Sequence, residues 1–364
     1  MAKGMQREPK WELVRELSEW EPDGGVVSVY FEIDPGDRGE GWRIALRDEL
    51  ENVPGEIAER VLRRYPEGRP HPPGRAQIGF LESTGEREVW TSAQMALGAT
   101  TAVQAARPCL TPLVRLLDEG GPFGVVAASL ERVRAFEWVF GRFEELDGWE
   151  LEITSLDWRE RKAPQRNPQT SGTGTTAAGR DQYMQRLDHN RARFLKQAGE
   201  LIADRYGDRA WRRIIVIGEG DRPHLLAKGL GPRADLVHVV PHDLISAPAA
   251  QIGERTAEEV IHLNREREEQ LVGRIQEAIG AEPGAAAGQD EVLRALQMAQ
   301  VRHVIFDADY EFEPIDGLPP TEQFIALALA TGADVTPAEG LAAASLRERG
   351  GVAALLRFAL ETDE

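Results

Sequence analysis

The first 115 residues alternate between helical and strand-like apolar spacing. Four apolar residues near the N-terminus recur at helical spacing: Trp11, Val14, Leu17 and Trp20. The run 26–33 (VVSVYFEI) predicts a strand that ends at the turn sequence DPGDRG. A helix is predicted over 42–64, with a break near Pro54-Gly55, and two strands follow at 76–81 and 88–90. We therefore predict a small N-terminal α/β domain over residues 1–115.

The middle of the chain has a strand-rich pattern that a polar loop interrupts. Four strands are predicted at short spacing, as an antiparallel meander: 123–130, 133–140, 142–146 and 149–153. After the loop, an apolar stripe of helical spacing runs from Tyr183 to Ile202. A strand at 213–217, a short helix at 225–230 and a strand at 236–240 then add a parallel edge. The pattern predicts a central domain with a mixed sheet over residues 116–250, carrying a long loop at 159–180.

Residues 251–364 return to alternating helices and strands. A highly charged helix is predicted over 256–279 with Thr256 as its cap, and residues 280–289 are predicted to be a flexible linker. Asp290 and Thr321 are predicted to cap two further helices. Short strands are expected at 304–306 and 334–335, and Gly350-Gly351 leads into the sequence VAALLRF. The whole chain is therefore predicted to be an α/β protein of three domains.

Composition restricts the function classes. The 364 residues are 41% apolar and 29% charged, with a net charge of −18 and a single cysteine, Cys109. We expect a cytoplasmic protein without a membrane span or an internal disulfide, and a monomer. An acidic chain of this kind is unsuited to binding nucleic acid over its whole surface, although a local basic contact remains open.

One segment reverses the charge of the chain. Residues 158–196 contain nine Lys and Arg residues and three acids, a net charge of +6. A basic run, a loop rich in Gly, Thr and Ala, and the start of a helix follow one another in this segment. Backbone N–H groups of glycines, together with arginines and lysines, suit a phosphate backbone. The predicted RNA-contact residues are Gly172, Thr173, Gly174, Gly179, Arg161, Lys162, Arg166, Arg180, Arg186 and Arg193.

Two other functions stay open at this point. Glycines at 172–179 before a helix also predict a nucleotide-binding enzyme, although neither G-x-G-x-x-G nor GxxxxGK[ST] is present. An acidic protein-interaction factor is the second alternative. The seven histidines form no HExxH motif, and Pro241 separates His238 from His242. No metal and no cofactor are therefore predicted.

Several stretches resemble a known family. VVSVYFEIDP at 26–35, ARPCLTPLVRLLDEGGPFGVVAASLERVRAFE at 106–137, the loop with RDQYMQRLDHNRARFLKQ, and ATGADVTPAEG with GGVAALLRF keep their order along the chain. Together they are similar to the bacterial archaeo-eukaryotic release factor family, the bacterial relatives of class 1 release factor and Pelota, which include hibernation-factor-like members. The resemblance implies an RNase H-like central domain and a C-terminal domain of the kink-turn-binding ribosomal protein type.

The resemblance also implies a function. It predicts a tRNA-mimicking factor that binds the ribosome and occupies the A site, for rescue or hibernation. Its expected partners are ribosomal RNA, P-site peptidyl-tRNA and a translational GTPase such as elongation factor Tu. Hydrolytic relatives carry Gly-Gly-Gln at the loop tip, whereas this loop contains SGTGTTAAGRDQ. Gln182 is the nearest candidate for a catalytic glutamine, and peptidyl-tRNA hydrolysis stays open.

Overall fold

The computed structural model describes residues 10–34, 41–67, 72–151, 177–279, 284–314 and 319–357, with side chains from Met184 onward in the helix that begins at Ala177. Contacts divide the chain into two compact units, Met1–Gly121 with Glu259–Glu364, and Pro122–Glu258. The described residues contain three sheets, and each sheet falls within a different predicted domain. The mixed α/β class is confirmed, and the boundaries of the three domains stay a prediction.

The N-terminal part of the first unit is built around one antiparallel sheet. Its strands are β1 (Val26–Glu32), β2 (Ala76–Glu82), β3 (Glu88–Ala93) and β4 (Thr101–Ala105), in the order β3-β2-β1-β4. The helices are α1 (Trp11–Ser18), α2 (Gly41–Leu50), α3 (Gly55–Arg64) and α4 (Thr111–Glu119). The predicted break at Pro54-Gly55 separates α2 from α3. Strand β1 is central and almost wholly buried, because its apolar run faces protein on both sides.

The second unit contains a five-stranded mixed sheet in the order β7-β6-β5-β8-β9. Strands β5 (Phe123–Ala128), β6 (Arg132–Val139) and β7 (Arg142–Glu150) are antiparallel, whereas β8 (Ile214–Ile217) and β9 (Val237–Val240) run parallel to β5. Helix α5 (Ala177–Tyr206) links β7 to β8, and α6 (Arg222–Ala227) with a 3-10 turn (Gly231–Leu236) links β8 to β9. The parallel edge has the form that the sequence predicted.

The rest of the chain supplies α7 (Ala249–Ala278), which starts in the second unit and continues into the first. Strands β10 (Ala285–Ala287), β11 (Val301–Asp307), β12 (Asp334–Ala338) and β13 (Val352–Leu356) form a sheet in the order β10-β13-β11-β12. Helices α8 (Gln289–Gln297), α9 (Pro320–Thr331) and α10 (Gly340–Arg347) accompany it. No helix in the described ranges is long and apolar enough to cross a bilayer.

The predicted four-stranded meander is wrong in one respect. Residues 142–146 and 149–153 were expected to be two strands, but β7 is continuous from Arg142 to Glu150. Asp147 and Gly148 lie opposite Ala135 and Arg134, and a register shift beside Ala135 accommodates them. Pairing with the full length of β6 therefore overrides the turn preference of Asp-Gly.

Three predicted helix caps are also wrong. Thr256 lies inside α7, where its buried hydroxyl donates to the carbonyl of Ile252 at 2.8 Å. Asp290 and Thr321 lie in the first turns of α8 and α9, after Gly288 and Pro319 at the cap positions. Each helix starts before the predicted residue, because backbone hydrogen bonding extends beyond the apolar pattern.

The predicted linker at 280–289 contains a strand. Residues 285–287 form β10, which pairs with β13 at the edge of its sheet. Alanine has little intrinsic strand preference, so a partner strand is what gives this segment its conformation. Residues 280–283 lie outside the described ranges.

A buried carboxyl group in the first unit makes stability depend on pH. Glu268 of α7 is 2% exposed, and it accepts a hydrogen bond from the backbone N–H of Glu339 at 3.0 Å. Burial, and then the nearby Asp118 of α4, raise the pKa of Glu268 to about 8. Other charged groups also act on it, with Arg267 and Arg115 opposing the rise and Glu119 adding to it.

We expect Glu268→Gln to flatten the pH dependence of stability. The folded state keeps the Glu268 proton up to about pH 8, whereas the unfolded chain releases it near the ordinary value of 4.5. The free energy of unfolding contributed by Glu268 is therefore present at low pH and lost as pH rises through this window. Glutamine keeps an oxygen for the Glu339 N–H. Urea unfolding should show that the free energy of unfolding of the variant, relative to wild type, is higher at pH 8 than at pH 5. An equal difference at both pH values would contradict this.

Candidate functional site

The C-terminal half of α5 is packed against the sheet of the second unit. Its buried side chains recur at helical spacing: Phe194, Leu195, Ala198 and Ile202. They belong to one core with β5, β6 and β8. Gly199 and Gly229 bring α5 close to the end of α6 and the residues after it, since a Cβ on Gly199 would lie 2.2 Å from the Leu226 carbonyl oxygen and 3.0 Å from the Gly229 Cα. This half of the helix is fixed in position.

The N-terminal half of α5 is not packed in this way. None of its described side chains from Met184 to Arg193 is buried, and Met184 is 46% exposed. At 1.5 Å per residue, the helix extends about 24 Å from Ala177 to Arg193. We call residues 177–193 the arm. In the sequence, the arm follows the basic loop directly, and its side chains from Met184 to Arg193 are exposed or half-buried.

Arg191 marks the place where the arm leaves the packed core. Its guanidinium donates to the carboxylate of Glu131, in the turn between β5 and β6, and lies 3.7 Å from Asp188. Its side chain is only 19% exposed. Arg191 is therefore a structural contact, with its guanidinium held at the turn between β5 and β6.

The hairpin that leads into the loop is held by another arginine. Arg134 of β6 donates to both carboxylate oxygens of Glu145 of β7, at 2.8 and 2.7 Å. It also donates to the carbonyl of Ala247 at 2.8 Å. These hydrogen bonds hold the pKa of Glu145 below its ordinary value. The strand before the loop is thus tied to the rest of its unit through a bidentate ion pair.

The predicted site residues divide into three groups. Six lie outside the described residues: Arg161, Lys162, Arg166, Gly172, Thr173 and Gly174. Gly179, Arg180 and Gln182 belong to the first turns of α5, and their side chains are outside the described part. Arg186 and Arg193 are exposed on the arm. The structure therefore places these two arginines on one helix, next to the predicted loop.

The described residues contain no cluster suited to metal binding. No group of three or more His, Cys, Asp or Glu residues there could hold an ion. Cys109 is half-buried beside Glu322, and burial raises the pKa of its thiol well above the ordinary value. A raised pKa keeps the thiol protonated and unreactive. In the described part of the arm, Arg186 and Arg193 are exposed cationic side chains.

A comparison with protein families covers this same unit. Residues 108–260 match the model of Bacterial archaeo-eukaryotic release factor family 10. Over this segment, the chain is similar to the bacterial archaeo-eukaryotic release factor family. The matched residues run from the segment before α4 into α7, and include the hairpin, the loop and the arm. The resemblance inferred from the sequence is confirmed, and the chain is release-factor-like.

Solved structures with similarity to the chain share its general length. Pelota from Archaeoglobus fulgidus is 16% identical, with 96% of this chain and 92% of that chain covered and a TM-score of 0.40. S. cerevisiae Dom34, described as a translation termination-like factor, is 9% identical, with 98% and 94% covered and a TM-score of 0.45. The archaeal termination factor aRF1 is 17% identical, with 95% and 96% covered and a TM-score of 0.26. No curated protein matches significantly.

Proposed function

We propose that this protein binds the ribosome and occupies its A site, as a factor for ribosome rescue or hibernation. The observation that carries the proposal is the arm, a half-helix in the family-matched unit with no buried side chain from Met184 to Arg193, which follows a basic loop in the sequence. In this proposal, the loop at 159–180 enters the ribosomal A site and the arm supports the loop. The proposal keeps the three-domain division at 1–115, 116–250 and 251–364.

The charges of the segment suit this role. On a chain with a net charge of −18, the excess of Lys and Arg in residues 158–196 is a local binding surface. Cationic side chains bind RNA by neutralising phosphates and releasing counterions. Glycines at 172, 174 and 179 allow the loop backbone to approach its ligand closely. Ribosomal RNA and P-site peptidyl-tRNA are the proposed partners, and elongation factor Tu is the proposed GTPase.

The loop sequence favours occupancy over hydrolysis. Glycines together with a glutamine are needed to position water at a peptidyl-tRNA ester in the hydrolytic relatives, and this loop has no Gly-Gly-Gln. We expect no release of peptide above buffer from stalled peptidyl-tRNA. If the wild type releases peptide and Gln182→Ala does not, the mechanism is hydrolysis and not occupancy alone.

Sedimentation with 70S ribosomes tests the proposal. We expect the wild type to sediment with empty or stalled ribosomes, and replacement of Arg161, Lys162 and Arg166 by Glu to weaken binding by about tenfold or more, because phosphate contacts become repulsive. The salt dependence of binding should also become shallower. A matched control reverses three exposed charges elsewhere: Lys228, Arg265 and Arg274.

Two results would contradict the proposal. If the wild type stays in the supernatant with both empty and stalled ribosomes, the ribosome is not its partner. The nucleotide-binding enzyme and the acidic interaction protein would then be the functions to test. Equal binding by the loop variant and its control would remove the loop as the contact.

A further inference from the structure

A basic stripe follows the outer side of α5. Arg186, His189, Arg193 and Lys196 are separated by three, four and three residues, the spacing of a single helix face. All four side chains are exposed. Phe194, Leu195, Ala198 and Ile202 lie on the opposite side and are buried. The stripe therefore faces solvent along the length of helix that connects the arm to its packed half.

The charge on this face changes sign along the helix. Lys196 lies 3.3 Å from Glu200, the next residue on the face, and the exposed Asp204 follows one turn later. Arg193 donates to the side-chain oxygen of Asn190 at 3.3 Å, a long hydrogen bond to a neutral group. The basic half is adjacent to the loop and the acidic half is farthest from it. Such segregation limits an anionic ligand to the first part of the face.

We infer that the outer face of α5 from Arg186 to Lys196 is a track for an RNA phosphate backbone, which ends at Glu200 and Asp204. This inference rests on the proposed function and extends its contact surface beyond the loop. His189 and Lys196 join the predicted Arg186 and Arg193 as contact residues. Arg191 is excluded, because it is turned inward to Glu131.

The composition of the face favours RNA over an acidic protein. Protein interfaces have an apolar centre, whereas the side chains described along this stripe are all polar or charged; the exposed Met184 and Leu201 lie off it. Two of the four residues are arginines, whose planar guanidinium binds phosphate through paired hydrogen bonds. From Arg186 to Lys196 the stripe is about 15 Å long, enough to face several phosphates.

The salt dependence of ribosome binding tests the track. In one variant, Arg186, Arg193 and Lys196 are all replaced by Gln, and His189 is kept. At fixed Mg²⁺, we expect its Kd for 70S ribosomes to rise about tenfold or more at about 100 mM K⁺. The slope of log K against log salt should be shallower by about 2 to 3, close to one unit for each lost phosphate contact.

A control variant carries the same loss of three charges at other exposed positions, Lys228→Gln, Arg265→Gln and Arg274→Gln. It should keep the wild-type slope. Since the stripe residues are exposed, the Tm of the stripe variant should stay within about 2 °C of wild type.

The outcomes separate the two proposals. A wild type that does not bind ribosomes ends the proposed function and the track with it. If the wild type binds but the stripe variant keeps a Kd within twofold of wild type and the same salt slope, only the inferred RNA track is contradicted. Measurement on protein-free ribosomal RNA distinguishes the ligand. If the salt slopes of wild type and stripe variant differ by the same amount on protein-free RNA, RNA is the ligand of the stripe. If they differ only with intact ribosomes, the ligand is an acidic ribosomal protein and the RNA track is contradicted.

Discussion

Glu322→Ala is expected to lower the free energy of unfolding by about 3 to 5 kcal/mol. Glu322 lies in the first turn of α9, is 9% exposed, and holds the start of α4. Its carboxylate accepts from the backbone N–H of Leu110 at 2.7 Å and of Thr111 at 3.1 Å, and from the Thr111 hydroxyl at 2.7 Å. Alanine would leave the buried Leu110 N–H and the two half-buried Thr111 donors without this acceptor, and would add a cavity.

The cost arises from burial, because water cannot replace the lost acceptor. Burial is also the main reason why the pKa of Glu322 lies above its ordinary value. Urea unfolding of wild type and variant gives the difference, provided that the slope m is unchanged. Glu291→Ala is the matched control. Its carboxylate accepts a backbone N–H at 3.2 Å near the start of α8, but it is exposed and should cost about 1 kcal/mol or less. If Glu322→Ala and Glu291→Ala lower the free energy of unfolding by the same amount, burial does not determine the loss of stability.

Gly199→Ala is expected to destabilise the second unit by about 1 to 3 kcal/mol, although alanine is the better helix former. The new Cβ would lie 2.2 Å from the Leu226 carbonyl oxygen and 3.0 Å from the Gly229 Cα. Both neighbours are backbone atoms, so α5 and the segment after α6 must separate. The same separation would tilt the arm, and ribosome binding should fall with stability.

Gly273→Ala is the control for helix propensity. Gly273 lies inside α7, and a Cβ added there would meet nothing within 4 Å, so the alanine should raise stability by about 0.5 to 1 kcal/mol. Urea unfolding should thus show opposite signs for the two substitutions. A gain in stability from Gly199→Ala would mean that the close approach of the two backbones is readily relaxed.

The order and type of most elements were predictable from local pattern. The apolar run at 26–33 predicted the central strand β1, and strand–helix–strand spacing predicted the parallel edge of β8 and β9. The family resemblance was also apparent from the order of its motifs, and the match over residues 108–260 confirms it. These features depend on neighbouring residues in the chain, so a single sequence contains them. The six predicted site residues from Arg161 to Gly174 stay predictions, since they lie outside the described residues.

By itself, the sequence determined the alternation of helices and strands, the charge reversal at 158–196 and the family resemblance. Only tertiary structure decided which side of each element is covered. Asp147-Gly148 continues a strand because β6 pairs with it, and Ala285–Ala287 is a strand because β13 lies beside it. The sequence alone could not show that, among the described side chains of α5, full burial begins at Phe194. Helical periodicity indicates which faces can be buried, but the extent of the neighbouring sheet determines where burial stops, and that limit creates the arm.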